Sequence, residues 1–246
     1  MACAKSSNAE KTNAIVMAAG LGTRMAPLTK TTPKPLISVN GTPMIETVIN
    51  ALVTAGVERI SVVVGYLKEQ FCYLEERYPA VVLVENTEYL EKNNISSIYA
   101  AVDVLEQGAT FICEADLVIS DEHIFQPWPS RSCYFGRKFS GYTDDWVFDL
   151  DNSGKIVRVG KGGSDTYAMV GLSYFSAPDA KRLARFMHDA YKETGHEQLF
   201  WDDVVNNHIA ELDLSIRPVE ARQIAELDSV AELAAFDHGY EYLLRS

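Results

Sequence analysis

The chain has 246 residues, 47% of them hydrophobic, and a formal net charge of −12. That suits one globular domain and argues against nucleic acid as a partner, which is usually met by a basic face. No run approaches the ~20 apolar residues of a membrane-spanning helix, and the four cysteines and five histidines, without CxxC or H-E-x-x-H spacing, encode no zinc site; a cytoplasmic protein is the simple expectation.

Residues 1–13 are polar and lack the apolar stretch of a signal peptide, so they read as a flexible tail ahead of a single domain over 14–246. The apolar run 14–18 predicts a buried strand, and a glycine loop follows it. Helical spacing over 44–53 predicts a helix that Gly56 ends. A strand over 60–64 turns at Gly65, and a helix over 68–78, with Phe71, Leu74 and Tyr78 on one face, stops at Pro79. A strand at 81–84, a polar loop, a helix around 95–105 and a buried strand at 110–113 come next. Strands of this β-branched kind, alternating with helices, predict a parallel sheet covered on both faces. Ligands of such sheets bind at the carboxyl ends of the strands. From about residue 132 the pattern changes to short strands over 132–139, 146–150, 156–159 and 169–175, which predict hairpins and a mixed sheet. Helices are expected over 178–191, 202–211 and 230–244, the last opened by a capping box, Ser229-x-x-Glu232. The fold class is therefore α/β: a Rossmann-like, mixed but mainly parallel sheet flanked by helices. The half over 14–131 is expected to hold a nucleotide and the half over 132–246 an acceptor.

The loop after the first strand reads Ala18-Ala19-Gly20-Leu21-Gly22-Thr23-Arg24-Met25-Ala26-Pro27-Leu28-Thr29, and Pro33-Lys34-Pro35 follows. Glycines let backbone amides approach and surround an anion, and an arginine and a lysine hold its charge. A dinucleotide fingerprint would need a third glycine where Met25 stands, and no Walker string occurs. The two prolines fix an extended backbone around Lys34, which presents it on a stiff segment. Asp116 follows a buried strand at the ligand edge, a natural place for a magnesium ligand, although a turn former would also fit there. Glu114 points to the same side of the strand. Asp228, taken alone, reads equally as a charge at a helix start.

The string resembles the signature of the nucleotidyltransferases that make activated sugars and alcohols, G-x-G-T-R-x-x-P-L-T followed by P-K-P. The resemblance implies that Gly20, Gly22 and Thr23, with Ala18 and Ala19, wrap a triphosphate. It implies that Arg24 neutralises the leaving pyrophosphate and that Lys34 reaches the α-phosphate. It also implies that Asp116 and Asp228 together hold Mg²⁺. The usual first metal motif ends Gly-Asp, and here Ala115 replaces the glycine.

Further strings are similar to the bacterial choline-phosphate cytidylyltransferases: Gly65-Tyr66-Leu67-Lys68-Glu69-Gln70-Phe71, Asn93-Asn94-Ile95-Ser96-Ser97-Ile98-Tyr99, Leu199-Phe200-Trp201-Asp202 and Glu226-Leu227-Asp228-Ser229-Val230. This likeness runs from residue 14 to about 233 and implies CTP and phosphocholine as substrates. Tyr66, Asn94 and Ser96 are then candidates for the base and ribose. Sugar-phosphate members carry Glu-Lys-Pro in the middle strands, where this chain reads Val159-Gly160-Lys161-Gly162-Gly163. Lys161 there reads as an exposed turn or as a contact for the acceptor phosphate. A trimethylammonium group is held by aromatic faces and a carboxylate. Trp146, Tyr174, Trp201 and Asp202 are the candidates, against the alternative that the aromatic residues are core. The expected reaction is in-line attack of the acceptor phosphate on CTP, giving CDP-choline and pyrophosphate. The alternative acceptors are 2-aminoethylphosphonate, phosphoethanolamine and a sugar 1-phosphate. The reading from another class is a non-catalytic nucleotide-binding module.

Overall fold

The structure, a computed structural model, describes residues 12–245. The first half contains β1 (Thr12–Ala18), β2 (Ser38–Val39), β3 (Thr42–Pro43), α1 (Met44–Thr54), β4 (Arg59–Val64), α2 (Tyr73–Arg77), β5 (Val81–Glu85), α3 (Ile95–Ala100), α4 (Val102–Gln107), β6 (Ala109–Glu114) and β7 (Leu117–Ile119). The second contains β8 (Cys133–Lys138), β9 (Tyr142–Leu150), β10 (Ile156–Ser164), β11 (Tyr167–Phe175), α5 (Ala177–Ala190), α6 (Trp201–Asn207), β12 (Ser215–Pro218), β13 (Ile224–Glu226) and α7 (Val230–Phe236). One sheet of nine strands runs through both halves, in the order β10-β9-β11-β6-β1-β4-β5, with β8 on β11 and β12 on β8. The strands β6, β1, β4 and β5 are parallel, and β11 joins them antiparallel through Leu172–Phe175 against β6.

Strand alternation divides the core. Val16, Val62 and Phe111 face α1 and α2, whereas Ile15, Val63 and Ile112 face the layer of α3 to α6. Burying each such side chain contributes about 1.5–3 kcal/mol. A third cluster is smaller and decides the site. Met25, Val39, Met44, Val118, Leu227 and Leu233 pack together, and they tie the glycine loop to the segment after β13.

Several elements differ from expectation for identifiable reasons. Thr12 and Asn13 belong to β1 and are buried, so the tail is shorter than expected; the rest of it, with Cys3, lies outside the described residues. The helix expected over 95–105 breaks at Ala101 (φ −113°, ψ 20°) into α3 and α4. The stretch 68–78 opens with a left-handed Leu67 (φ 48°) and a 3₁₀ turn, so only α2 is α-helical. The helix 202–211 ends at Asn207, and that over 230–244 ends at Phe236, each passing into a 3₁₀ segment. Ser229 and Glu232 do form the capping box, with the Glu232 amide donating to Ser229 Oγ at 3.2 Å. Strands β9 and β10 are longer than expected, which puts Lys161 inside a strand rather than in a turn.

Candidate active site

The loop after β1 folds back on itself through Gly22, whose φ is +62°. A Cβ there would lie 2.7 Å from Lys34 Cβ and 3.1 Å from Thr29 Cγ2, so only glycine lets the loop close onto Lys34. Met25, the residue that breaks the dinucleotide pattern, is fully buried and anchors the loop from below. Tyr66 braces it from the side: its hydroxyl donates to the Thr29 carbonyl at 2.8 Å and its amide to the Ala19 carbonyl at 3.1 Å.

Asp228 reaches the same place by a short pairing. Strand β13 lies antiparallel to β7, with Glu226 opposite Leu117, and the Leu227 amide donates to the Asp116 carbonyl at 3.3 Å. Lys34 Nζ then donates to Asp116 Oδ2 and to Asp228 Oδ1, each at 2.6 Å. Arg24 clasps Asp228 with both terminal nitrogens, each at 2.9 Å, the fork geometry that suits a carboxylate or a phosphate. Burial opposes the charge on Lys34, but the two aspartates override it and hold its pKa above the ordinary lysine value. Burial likewise opposes ionisation of Asp228, and Lys34 and Arg24 more than offset it, holding that carboxyl below its usual range.

These groups border a cleft of about 420 Å³. Ala18, Ala19, Gly20, Gly22 and Thr23 line it with Arg24, Lys34, Asp116 and Asp228. Asn94 and Ser96 line it too. Gly20 leaves room for a ligand, since a Cβ there would meet no protein atom within 4 Å. Asn94 Oδ1 accepts from the Trp201 amide at 3.0 Å, and Ser96 Oγ accepts from Asn86 Nδ2 at 2.9 Å, so both polar groups are held in place. Tyr66 is not among the lining residues.

The cleft also holds groups that sequence reasoning missed or left aside. Asn86, Tyr89 and Lys92 line it, as do Glu114 and Glu226. Asn86 follows a parallel strand, β5, and the rule that found Asp116 would have found it. Lys92 is ion-paired with Glu88 and lies 4.3 Å from the centre of the Tyr191 ring. Gly171, left-handed at φ +74°, makes room for Glu114: a Cβ there would lie 2.8 Å from Glu114 Oε2. Oxygens of Glu114, Asp116 and Glu226 lie within 4.8 Å of one another. Among the described residues, neither Glu114 nor Glu226 is ion-paired. Burial, with the charges of Asp116 and Glu226, pushes Glu114 well above the usual carboxyl range; burial, with Asp116 and Asp228, pushes Glu226 up to about 8. Asp116 Oδ1 is buried without a hydrogen-bond partner. An all-carboxylate set with an orphaned oxygen suits a hard divalent cation. Behind Glu114 lies a chamber of about 10 Å³, bordered by Trp201, Tyr134 and Gly171; that is space for roughly one water-sized group.

The four expected acceptor residues do not line the cleft. Tyr174 is buried on the α1–α2 side of the sheet, 4.9 Å from Phe111 between ring centres. Trp201 is 3% exposed and stacks on Tyr134. Asp202 is buried and accepts from the Tyr134 hydroxyl at 2.8 Å; burial pushes its pKa up to about 7. Its neighbour Asp203 accepts from the Phe200 amide and so opens α6. The acids beside Trp201 thus serve packing and capping, because α6 turns them inward and back onto its own first turn. Trp146 is half-buried, with its ring against Phe200.

Fold and site together define an NTP transferase: the MobA-like NTP transferase domain matches residues 14–132. The chain is 96% identical over 246 residues, all of both chains, to the 2-aminoethylphosphonate cytidylyltransferase of Lancefieldella rimae. It is 36% identical over 219 residues to the choline-phosphate cytidylyltransferase of Streptococcus pneumoniae, covering 89% of this chain and 94% of the other. The solved CTP:phosphocholine cytidylyltransferase of Streptococcus pneumoniae superposes with a TM-score of 0.85 at 35% identity, over 95% of this chain and 99% of that one. The chain belongs to the cytidylyltransferase family.

Proposed function

We propose that this protein transfers CMP from CTP to 2-aminoethylphosphonate, with release of pyrophosphate. The observation that carries the reading is the 96% identity, along the whole of both chains, to a 2-aminoethylphosphonate cytidylyltransferase. Phosphocholine, the acceptor implied by resemblance at the outset, stands second. The cleft supports this order. A primary ammonium needs hydrogen-bond acceptors, and Glu114, which is not one of the proposed Mg²⁺ ligands, offers an unpaired carboxyl group there.

In the proposed reaction a phosphonate oxygen attacks the α-phosphorus of CTP. A new P–O bond forms as the bond to the β-phosphate oxygen breaks, and pyrophosphate leaves with that electron pair. The nucleophile is an anion already, so no general base is required. Catalysis rests on alignment and charge. The amides around Gly20 and Gly22 wrap the triphosphate, Arg24 holds the departing pyrophosphate, and Lys34 stabilises the α-phosphate as charge builds. Asn94 and Ser96 read the nucleoside, and Tyr66 acts on it through the loop it braces. Asp116 and Asp228 are the proposed Mg²⁺ ligands, with Glu226 adjacent. Bound there, the ion would neutralise phosphate oxygens.

The test is release of pyrophosphate from CTP by the purified protein with each of 2-aminoethylphosphonate, phosphocholine, phosphoethanolamine and glucose 1-phosphate. The expected result is the highest kcat/KM with 2-aminoethylphosphonate. A higher value with phosphocholine would reverse the reading, and binding of CTP without turnover of any acceptor would revive the non-catalytic module.

A further inference from the structure

The Trp146 and Phe200 rings meet edge to face, 5.5 Å apart at 70°. An open pair of this kind is an attractive seat for a cation. In this protein a cation of its own is seated there. Lys161 Nζ lies 4.8 Å from the centre of the Phe200 ring and 5.7 Å from that of Trp146. The sheet delivers it: Lys161 stands directly opposite Trp146 in the β9–β10 ladder. Directly opposed side chains in such a ladder are close neighbours on one face. A register shift between Lys161 and Gly163 follows at once, and Arg158 Nη2 donates to the Lys161 carbonyl at 2.7 Å, which holds the strand at that point. Among the described residues Lys161 makes no ion pair, so the two rings are its partners.

The Phe200 side of the pair is tied to the border of the cleft. The Asn93 amide donates to the Glu197 carbonyl at 2.9 Å, and Asn93 Nδ2 to the Gln198 carbonyl at 2.7 Å. The Trp201 amide donates to Asn94 Oδ1. Phe200 is therefore carried on a segment fastened to the two asparagines that line the cleft.

We propose that Lys161 is a specificity-determining residue that closes the Trp146–Phe200 pair to quaternary-ammonium acceptors. The proposal rests on the acceptor reading above. Two effects act together. The lysine head already occupies the place over both rings, and its positive charge repels a second cation from it. A primary ammonium loses nothing by this, since it is satisfied by carboxylates and needs no aromatic face. The device works by rejecting the wrong substrate rather than by gripping the right one.

The experiment compares the full-length wild type with Lys161→Ala and Lys161→Arg. Two readouts are taken: the ratio of kcat/KM for phosphocholine to that for 2-aminoethylphosphonate, and quenching of tryptophan fluorescence by phosphocholine. Lys161→Ala is expected to raise the ratio at least tenfold through a lower KM for phosphocholine, and to make the fluorescence respond at lower phosphocholine concentration. Lys161→Arg, which keeps a cation over the rings, is expected to stay within threefold of wild type. A ratio unchanged in Lys161→Ala overturns the proposal, as does a ratio changed only by loss of 2-aminoethylphosphonate turnover, which would make Lys161 a contact for the acceptor's phosphonate. Should the alanine variant not fold by circular dichroism, Lys161→Thr, a good strand former, gives the same reading. If the wild type turns over neither acceptor, the acceptor reading fails by itself, and the fluorescence response of the variant still decides the role of Lys161.

Discussion

The glycine-loop side of the cleft and the side proposed for the acceptor treat charge in opposite ways. On the loop side the charges that line the cleft are paired: Lys34 bridges Asp116 and Asp228, and Arg24 clasps Asp228. On the side proposed for the acceptor, Glu114 and Glu226 have no ion-pair partner among the described residues, and Asp202, outside the cleft, is buried against a tyrosine hydroxyl. Paired charges hold a rigid frame in the ionised state; unpaired acids have raised pKa values and favour a cationic guest. The contrast suggests a division of labour, in which one side is organised before the substrates arrive and the other is completed by them.

The sharpest way to break this comparison is Lys34→Ala. The variant removes the cation proposed for the α-phosphate and leaves Asp116 and Asp228 facing each other. The expected loss is about 3 kcal/mol of transition-state stabilisation, or roughly 10²–10³-fold in kcat/KM, by analogy with removal of an oxyanion donor. Pyrophosphate release measures it, with circular dichroism as the folding control. A kcat/KM within tenfold of wild type would remove Lys34 from the chemistry.

Asp202→Asn tests the other side. The folded-state pKa of Asp202, about 7, lies above the unfolded value of 3.8, so the folded protein binds more protons over that interval. Stability of the wild type should therefore fall as pH rises from about 4 to about 7, the sign set by proton linkage. Asparagine keeps the acceptor for Tyr134 and removes the ionisation. The variant should gain on wild type across that window by on the order of 2 kcal/mol after relaxation around the charge, and the gain should level off above pH 7. Thermal unfolding at pH 4.5, 6 and 7.5 reads it; a constant difference would mean that Asp202 titrates normally.

The smallest effect is expected from Tyr66→Phe. It deletes one neutral hydrogen bond to Thr29, worth about 1 kcal/mol, or roughly 2–4 °C in Tm for a chain of this size. Because Tyr66 braces the loop from outside the cleft, the KM for CTP should rise only a few-fold while kcat holds. A loss of kcat as large as that of Lys34→Ala would put Tyr66 in direct contact with the nucleotide.

Legibility in the sequence followed the range of the forces involved. The parallel strands, the glycine loop and the lysine between prolines are local patterns, and each was readable from a few adjacent residues. The strand-end rule also anticipated that Gly20 and Asp116 would share an edge. Ring orientation was not readable in this way. Trp146, Tyr174 and Trp201 were all aromatic candidates, the two tryptophans favoured for the acids beside them, yet Tyr174 is turned into the α1–α2 core and Trp201 onto Tyr134. Nor could the two acids after Trp201 be told apart, since Asp203 opens a helix and Asp202 meets a tyrosine from β8. Glu226 was visible only as a neighbour of Asp228, because its closeness to Glu114 depends on the three-residue pairing of β13 with β7.

By itself, the order of residues determined the α/β architecture and the glycine-loop end of the cleft, because hydrophobic period, glycine conformation and proline restriction act over a few bonds. Tertiary structure alone decided which acids stay unpaired, which aromatic rings are core and that Lys161 sits over Trp146 and Phe200. Those outcomes depend on strand register and on burial between segments far apart in the chain, where a shift of one residue would exchange one face of the sheet for the other.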